Sequence, residues 1–424
     1  MEELPDSLDE TYERMLREIR KSNEGHARRM LQCLVAAIRP LRVAELAEIL
    51  AIDFSAEGSP KLNPGWRWDD HEEAVMSTCS SLVMIVGDKA QRKDDGKVED
   101  SRIVQFSHFS VKEFLMSDRL AESSREVTVS QYHIQLEPAH VILAQACLGV
   151  LLQLDDHINR DNIKDFPLAI YAAQYWVDHA RFENVSSLIK GEMECLFDAD
   201  RPHFAAWLWL YDQESTFSML TMSPEKPESV PLYHAALLGF RDLTAHLLAE
   251  HPEDLYAKGG HLMTPLHASA SHGYFNVCSL LLDHLPSPDI PTGRYNQTLL
   301  HLISHEGHVE IGQRLLDRGA DIDAQERDGW TPLYIAVICG QLEFARMLLE
   351  RGAAVHTPSH KGETPLYMAS QQGQVQVVRL LLEYGADLHV RDHDGRTPSE
   401  VASIHGKRDI VQLLSEYIAK PEKE

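Results

Sequence analysis

Cysteine and positive charge are both scarce in this sequence. Its 424 residues include six cysteines, 40 lysines and arginines and 65 aspartates and glutamates, giving a formal net charge of −25. The cysteines are scattered through apolar helical segments without a C-x-x-C pair, a pattern typical of buried free thiols in a reducing compartment. The acidic excess argues against a nucleic-acid partner or a membrane surface, because phosphate binding requires a basic face.

Several functional signatures are also missing. The sequence contains no G-x-x-x-x-G-K-[ST] phosphate loop, no G-x-S-x-G nucleophile motif and no H-E-x-x-H zinc motif. The N-terminus does not read as a secretory signal, and no apolar run approaches the length of a membrane-spanning helix. We therefore expect no catalytic residues, no cofactor and no metal site. The expected location is cytoplasmic, with the nucleus left open.

The C-terminal half of the sequence repeats itself. A Thr-Pro-Leu motif or a close copy recurs in steps of 34, 34, 33, 33 and 33 residues. Each copy is followed by a glycine and then by an apolar segment, in several copies a Leu-Leu pair. Threonine can cap a helix, proline fits its first turn, and glycine can end it. The six copies begin at Val230, Thr264, Thr298, Thr331, Thr364 and Thr397.

This pattern resembles the ankyrin repeat, over about 226–418. The resemblance implies stacked helix pairs whose projecting hairpins and first helices form an extended binding surface. Tyr233, Tyr334 and Tyr367 stand where the family usually has histidine, so the usual histidine hydrogen bond must be replaced or lost. The histidines of this half follow the repeat register, which favours structural roles over zinc ligation.

The N-terminal half reads as helices around one hairpin. Residues 26–52 predict two helices broken at Pro40, and 69–80 predict a third. Two β-rich runs, 81–87 and 101–107, follow with a long polar loop between them. Three helices and a long-looped hairpin are the order of a winged helix. The predicted third helix begins with four carboxylates, which disfavours the alternative of a DNA-binding regulator.

Phrases such as "LPDSLDETYERMLREI", "FSHFSVKEFLMS" and "YAAQYWVDHA" resemble the segment downstream of the NACHT module in fungal NACHT–ankyrin proteins of the STAND class. The winged-helix part also resembles that of GPI inositol-deacylase-like relatives. The implied fold is mainly α: a winged helix with a small β-hairpin, a helical connector and an ankyrin α-solenoid. The implied segments are a helix leading out of a missing NACHT-type module (1–22), the winged helix (23–125), the connector (126–222) and six repeats (226–418).

The first helix raises a question of its own. Leu8, Tyr12 and Leu16 fall on one apolar face that needs a cover. One interpretation is that the helix folds back onto the chain. The other is that a separate NACHT-type NTPase chain docks there.

We predict a non-enzymatic protein that binds a protein partner through the ankyrin concave face, in signalling or surveillance. The first alternative is a regulatory fragment of a NACHT-type switch whose nucleotide-binding domain is supplied elsewhere. The second, an enzyme or DNA-binding regulator, is disfavoured by the missing motifs and the acidic third helix. The candidate partner-binding residues flank the hairpin turns: Arg294, Tyr295, Gln297, Arg327, Asp328, Trp330, His360, Lys361, Glu363, His393, Asp394 and Arg396.

We expect the chain to bind neither ATP nor GTP, because it lacks the loop whose backbone N–H groups and lysine hold the phosphates. Calorimetric titration with each nucleotide tests this expectation. Micromolar binding of either nucleotide would contradict it.

Overall fold

Helices make up most of the structure, as the sequence predicts. The computed structural model describes residues 6–54, 60–87, 102–122, 127–211, 223–224, 227–259, 263–289 and 295–419. The chain divides into two compact units, 1–227 and 228–424. The finer boundaries of the four predicted segments stay a prediction. Within the described ranges, no helix combines the length and apolarity needed to cross a membrane.

The first unit holds twelve described helices and two small antiparallel strand pairs. The helices are α1 (Asp6–Arg17), α2 (Glu24–Ala36), α3 (Val43–Leu50), α4 (His71–Cys79), α5 (Phe109–Leu115), α6 (Asp118–Glu122), α7 (Val127–Ser130), α8 (Leu136–Leu151), α9 (Ala169–Ala180), α10 (Val185–Leu188), α11 (Lys190–Leu196) and α12 (His203–Tyr211). The strands are β1 (Ile52–Asp53), β2 (Lys61–Leu62), β3 (Val83–Val86) and β4 (Ile103–Phe106).

The second unit consists of paired helices in the order of the repeated motif. They are α13 (Pro231–Leu238), α14 (Arg241–Glu250), α15 (Pro265–Ser271), α16 (Phe275–Asp283), α17 (Leu299–Glu306), α18 (Val309–Asp317), α19 (Pro332–Ile338), α20 (Leu342–Glu350), α21 (Pro365–Gln372), α22 (Val375–Glu383), α23 (Pro398–Ile404) and α24 (Arg408–Ile418).

The apolar face of α1 is covered by the chain itself. Tyr12 and Leu16 are only 5% and 2% exposed. The Tyr12 hydroxyl lies 2.7 Å from Ser110 Oγ, and its ring centre lies 5.4 Å from that of Phe114 in α5. The interpretation that α1 folds back is therefore confirmed, and docking of an NTPase chain on this face is not available in this fold. Docking elsewhere on the N-terminal region stays a prediction.

The winged helix has the predicted order, α2, α3 and α4 followed by β3 and β4. Val83 pairs with Phe106 and Val86 with Ile103 in an antiparallel register. The segment that leads into α3 also pairs with β4. Val43 N–H donates to the Arg102 carbonyl, and Val104 N–H donates to the Leu41 carbonyl. The polar loop between the strands lies outside the described residues. The β1–β2 pair was not predicted, since two residues are too few to show a strand pattern.

Two buried carboxylates on α3 hold distant segments together. Glu45 receives hydrogen bonds of 2.6 and 2.8 Å from the Arg39 guanidinium. Glu48 receives one from the Arg67 guanidinium and one of 2.6 Å from the Leu168 N–H. A buried charge is tolerated only when it is paired and hydrogen-bonded. Burial raises the pKa of Glu48, while the Leu168 N–H and Arg67 oppose that shift.

The aromatic-rich helix α9 carries a buried polar chain. His179 Nδ1 lies 2.9 Å from His140 Nδ1 on α8, and its Nε2 lies 3.0 Å from the Tyr171 hydroxyl. Burial, reinforced by His140, lowers the pKa of His179 to about 3. Burial also lowers the pKa of His140. Both rings are therefore neutral near pH 7 and can alternate as donor and acceptor.

Four of the six thiols are buried as predicted, and none is in a disulfide. Cys195 and Cys339 are partly exposed, which corrects the expectation for these two. Burial raises the pKa of Cys33 and of Cys278 to about 12. These two thiols are therefore poor nucleophiles near neutral pH.

Ion pairs between second helices join successive repeats in the middle of the second unit. Arg318 at the end of α18 donates to Asp283 Oδ1 at 2.9 Å, and Arg351 at the end of α20 donates to Asp317 Oδ1 at 2.8 Å. The glycine after α22, Gly385, has a φ of +83°, as its place in the repeat predicts. That conformation strains any residue with a branched Cβ.

Gly385→Val should destabilise the protein by about 1–3 kcal/mol through backbone strain alone. A Cβ at this position would meet no atom within 4 Å, so collision does not contribute. Urea unfolding followed by circular dichroism measures the cost. Gly385→Asn is the matched control, since asparagine tolerates this region better. Equal midpoints for the valine variant and the parent protein would show that the strain argument is wrong.

Candidate functional site

The candidate site begins with the turns at the tips of the last three hairpins. Each turn is closed by the same two backbone hydrogen bonds. In the first, Glu326 N–H donates to the Trp330 carbonyl at 3.1 Å and Gly329 N–H to the Glu326 carbonyl at 3.0 Å. Gly329, Gly362 and Gly395 have φ values of +79°, +78° and +81°. The equivalent residue one repeat earlier is Asn296, whose φ of +59° lies in the same region.

A buried polar side chain opens each of these turns. Glu326 Oε1 accepts from the Asp328 N–H at 2.7 Å and the Trp330 N–H at 3.2 Å. Ser359 Oγ and Asp392 Oδ1 accept backbone N–H groups in the same way in the next two turns. These three acceptors were not predicted from the sequence. Their spacing of 33 residues, with an acceptor oxygen at each position, is the signal that could have revealed them.

Successive tips are joined into one ridge, here called the tip ridge (residues 295–297, 326–330, 359–363 and 392–396). Arg327 N–H donates to the Tyr295 carbonyl at 2.9 Å. The same bond recurs from His360 to Asp328 and from His393 to Lys361, each at 3.0 Å. The ridge is therefore fixed by main-chain bonds, which leaves side chains available for recognition.

The predicted residues divide into two groups on this ridge. Arg294 lies outside the described residues, and Gln297 is half-buried. Three of the others are held by contacts within the array: Trp330, Glu363 and Arg396. The rest are exposed: Tyr295, Arg327, Asp328, His360, Lys361, His393 and Asp394, of which Asp394 accepts a hydrogen bond from the Arg396 guanidinium.

Trp330 packs against the first helix of its own repeat. Its ring stacks on that of Tyr334 with centres 5.5 Å apart and an interplanar angle of 28°. Among the described residues no ring stacks on Tyr295, which is 53% exposed. Tyrosine is a residue type that contributes strongly at interfaces, because it buries a large area at a small entropic cost. Tyr295 is therefore the most accessible aromatic anchor of the candidate set.

Tyr334 and Tyr367, at two of the histidine positions, replace the family's hydrogen bond with one donated by the phenol hydroxyl. His301, which keeps the usual residue, contacts the Trp330 carbonyl through Nε2 at 3.0 Å. Tyr334 instead donates to Glu363 Oε2 at 3.2 Å, and Tyr367 to Asp392 Oδ2 at 2.7 Å. Each bond thus runs from a first helix to the next hairpin, so the usual bond is replaced in these two repeats.

Electrostatics strengthens the last of these contacts. Burial, together with the adjacent Asp392 carboxylate, raises the pKa of Tyr367 to about 12. Burial opposes ionisation of Asp392, but the Arg396 N–H and the Tyr367 hydroxyl lower its pKa. A neutral phenol and an ionised carboxylate therefore meet at this hairpin over a wide pH range, and such charge-assisted bonds are the stronger kind.

Other chemical groupings are few among the described residues. Asp155, Asp156 and His157 are the one group there with metal-ligating side chains close together, and all three are exposed. The fold and the tip ridge together define a mainly helical protein whose candidate site is an exposed surface on a fixed backbone.

Known protein families match both units. A family described as the winged-helix domain of GPI inositol-deacylase matches residues 12–127. A family described as ankyrin repeats (3 copies) matches 286–359 and 352–424, and a single ankyrin repeat matches 261–293. The chain thus contains a winged-helix domain of the GPI inositol-deacylase type followed by ankyrin repeats, which are non-catalytic interaction modules.

Two fungal relatives share part of the sequence. Azaphilone pigments biosynthesis cluster protein L of Monascus ruber is 31% identical over 259 residues, covering 59% of this chain and 52% of that protein. Vegetative incompatibility protein HET-E-1 of Podospora anserina is 24% identical over 245 residues, covering 53% of this chain and 16% of that protein. The chain thus spans about half the length of the first relative and less of the second. The predicted resemblance to fungal NACHT-type proteins is confirmed over this part.

Tyr367→Phe should destabilise the array by about 1–3 kcal/mol, because it removes a buried hydrogen bond to a charged group. Urea unfolding followed by circular dichroism measures the change. Tyr384→Phe is the matched control, since Tyr384 is 39% exposed on the second helix of the same repeat. An equal effect of the two variants would show that the hydroxyl of Tyr367 carries no special weight.

Proposed function

We propose that the tip ridge and the adjacent first helices bind a folded protein partner, and that the chain acts without catalysis in signalling or surveillance. Ankyrin repeats are protein-interaction modules, which supports the general class. The observation that carries the finer assignment is the main-chain ladder of the tip ridge. It holds exposed aromatic and charged side chains on a backbone that need not reorganise on binding. Preorganisation of this kind lowers the entropic cost of association.

The composition of the ridge supports a protein ligand over a nucleic acid. Arg327 and Lys361 are accompanied by Asp328 and Asp394 along the ridge. A mixed surface of this kind lacks the concentration of positive charge that phosphate binding demands. It offers instead a polar rim around an aromatic anchor, the arrangement typical of protein interfaces.

The cellular setting belongs to the same proposal. Six thiols without a disulfide support a reducing compartment, and we place the protein in the cytoplasm. Detection of the tagged protein by fractionation checks this placement. Recovery in a secreted fraction would contradict it.

The alternative is that the chain serves as the regulatory part of a NACHT-type switch. The partial match to HET-E-1 supports it, since the predicted resemblance is to proteins of that type. A nucleotide-dependent interaction distinguishes the two functions. If the partner is an NTPase that binds this chain in only one nucleotide state, the switch explains the interaction better than a constitutive scaffold.

Tyr295→Ala should weaken binding of the partner by about 1–4 kcal/mol, as truncation of an interface anchor does. The partner is first captured with a photo-cross-linking residue at position 295 of the full chain. The same residue at position 343, exposed on the second helix of its repeat, is the positional control. Affinity is then measured by calorimetry with the purified partner.

Trp330→Ala should weaken binding of the same partner. Part of this effect should be indirect, because Trp330 stacks on Tyr334 and its removal changes the packing of that ring. Glu343→Ala should leave the affinity unchanged. Circular dichroism establishes that each variant is folded. Should Tyr295→Ala and Trp330→Ala both bind as tightly as the parent chain, the tip ridge is not the interface.

A further inference from the structure

A second concave surface lies in the first unit, away from α5 and the strands of the winged-helix hairpin. A cavity of about 830 Å³ is bordered by the start of α2, the end of β1, the 3₁₀ turn Pro64–Trp66 and the start of α4. Trp66 and Trp68 line it and are 45% and 43% exposed. Exposed tryptophans are costly in water, so two of them in one cavity call for an explanation.

The backbone that carries the two tryptophans is anchored on both sides. Asn63 N–H donates to the Ala51 carbonyl at 2.9 Å, and Asn63 Oδ1 caps the turn by accepting from Gly65 N–H at 3.0 Å. Between the tryptophans, Arg67 reaches inward to the buried Glu48 and to the Asp165 carbonyl. The tryptophans on either side of Arg67 are thereby presented towards the cavity by a fixed segment.

The rim of the cavity is acidic. Asp69, Asp70 and Glu73 border it and are exposed, and Asp53 lies at its edge. Asp70 is committed to capping α4, where it accepts from the N–H groups of the first turn. Asp69 and Glu73 make no ion pair within the described residues. Two carboxylates are thus available beside two indole rings.

The positive charges of the cavity are already engaged. Arg67 is paired with Glu48. Arg29 donates to the Ile52 carbonyl at 3.2 Å, and its guanidinium carbon lies 4.2 Å from the centre of the Phe54 ring. The cavity therefore already holds one guanidinium against an aromatic face. Burial and the nearby Arg29 lower the pKa of His26, so this ring adds no charge near pH 7.

We propose that this cavity binds an arginine- or lysine-bearing peptide segment of a protein partner, with the cationic side chain against Trp66 and Trp68 and its charge met by Asp69 and Glu73. Indole is the aromatic ring that attracts cations most strongly. Carboxylates supply the complementary charge and the acceptors that a guanidinium fork requires. This site is separate from the tip ridge, which lies in the other unit, and gives the winged-helix region a recognition role of its own.

Calorimetric titration of the full chain with an acetylated, amidated tetra-arginine peptide tests the proposal. We expect saturable one-to-one binding, weakened by added salt because the charges are exposed. Tetra-citrulline, which keeps the shape and loses the charge, should bind at least about tenfold more weakly, the effect of losing charge-assisted contacts. Equal binding of the two peptides, or no saturable binding of tetra-arginine, would overturn the assignment.

Substitutions locate the site. Asp69→Asn combined with Glu73→Gln should weaken tetra-arginine about tenfold, and Trp68→Ala about threefold to tenfold, in line with charge-assisted and cation–π contacts. Asp155→Asn combined with Asp156→Asn is the matched control. It removes the same charge from an exposed cluster elsewhere in the first unit.

The control variant should bind within about twofold of the parent chain, since long-range charge is screened by salt. If the control variant weakens binding as much as the double substitution of Asp69 and Glu73 does, the peptide responds only to the net negative charge of the chain. The proposed site would then be wrong. Circular dichroism confirms that each variant keeps its helical fold. Binding at the tip ridge is unaffected by these changes, so failure here leaves the proposed function standing.

Discussion

A helix pair of an ankyrin repeat cannot bury its own apolar face, and the second unit depends on that constraint. Leucines such as Leu315, Leu348 and Leu381 are buried because each repeat lies against its neighbours. Stacking at a spacing of 33 or 34 residues then brings equivalent positions into contact along the whole array. The ion pairs between second helices and the hydrogen bonds between hairpin tips follow from this register, and neither could form within one repeat.

The same requirement for partners shapes the first unit at polar positions. Glu45 and Glu48 lie on a helix that is otherwise buried, so their charges must be met by the protein itself. Arg39, Arg67 and the Leu168 N–H meet them, and in doing so they connect α3 to the turn before α4 and to the start of α9. Arg67 also lies between Trp66 and Trp68, and all three residues line the cavity. A residue that satisfies a buried charge thus also forms part of the cavity wall.

Both proposed recognition surfaces combine a fixed backbone with exposed side chains. On the tip ridge, main-chain bonds and buried acceptors hold the turns, while Tyr367 links the helix of one repeat to the hairpin of the next. In the first unit, Asn63 and Arg67 hold the segment that carries Trp66 and Trp68. A surface built in this way loses little conformational entropy on binding. The two surfaces differ in chemistry, since the ridge carries both signs of charge and the cavity rim is acidic.

The sequence by itself determined the features that depend on local spacing. The six repeats, the helix-ending glycines and the order of the winged helix were all visible as periodicity and turn residues. The amphipathic face of α1 was visible as well. The residues that bury it were not, because an apolar face indicates only that some other segment must cover it. The tip positions could be predicted as well, since the register of the repeat places them. The sequence could not show which tip residues are held by contacts within the array. Nothing in the sequence distinguishes Trp330 and Arg396, which make such contacts, from the exposed Tyr295.

Only the tertiary structure decided the contacts between residues far apart in the chain. Tyr334 and Tyr367 signalled a lost histidine bond, but their new partners lie 29 and 25 residues away, a reach that depends on how the repeats stack. The cavity of Trp66 and Trp68 draws on three separate segments of the chain, around residues 22–29, 53–54 and 65–73. Local propensity and spacing act over a few residues and survive in the sequence. Three-dimensional packing determines which residue contacts a buried charge or an aromatic ring, and the sequence shows only that such a contact is required.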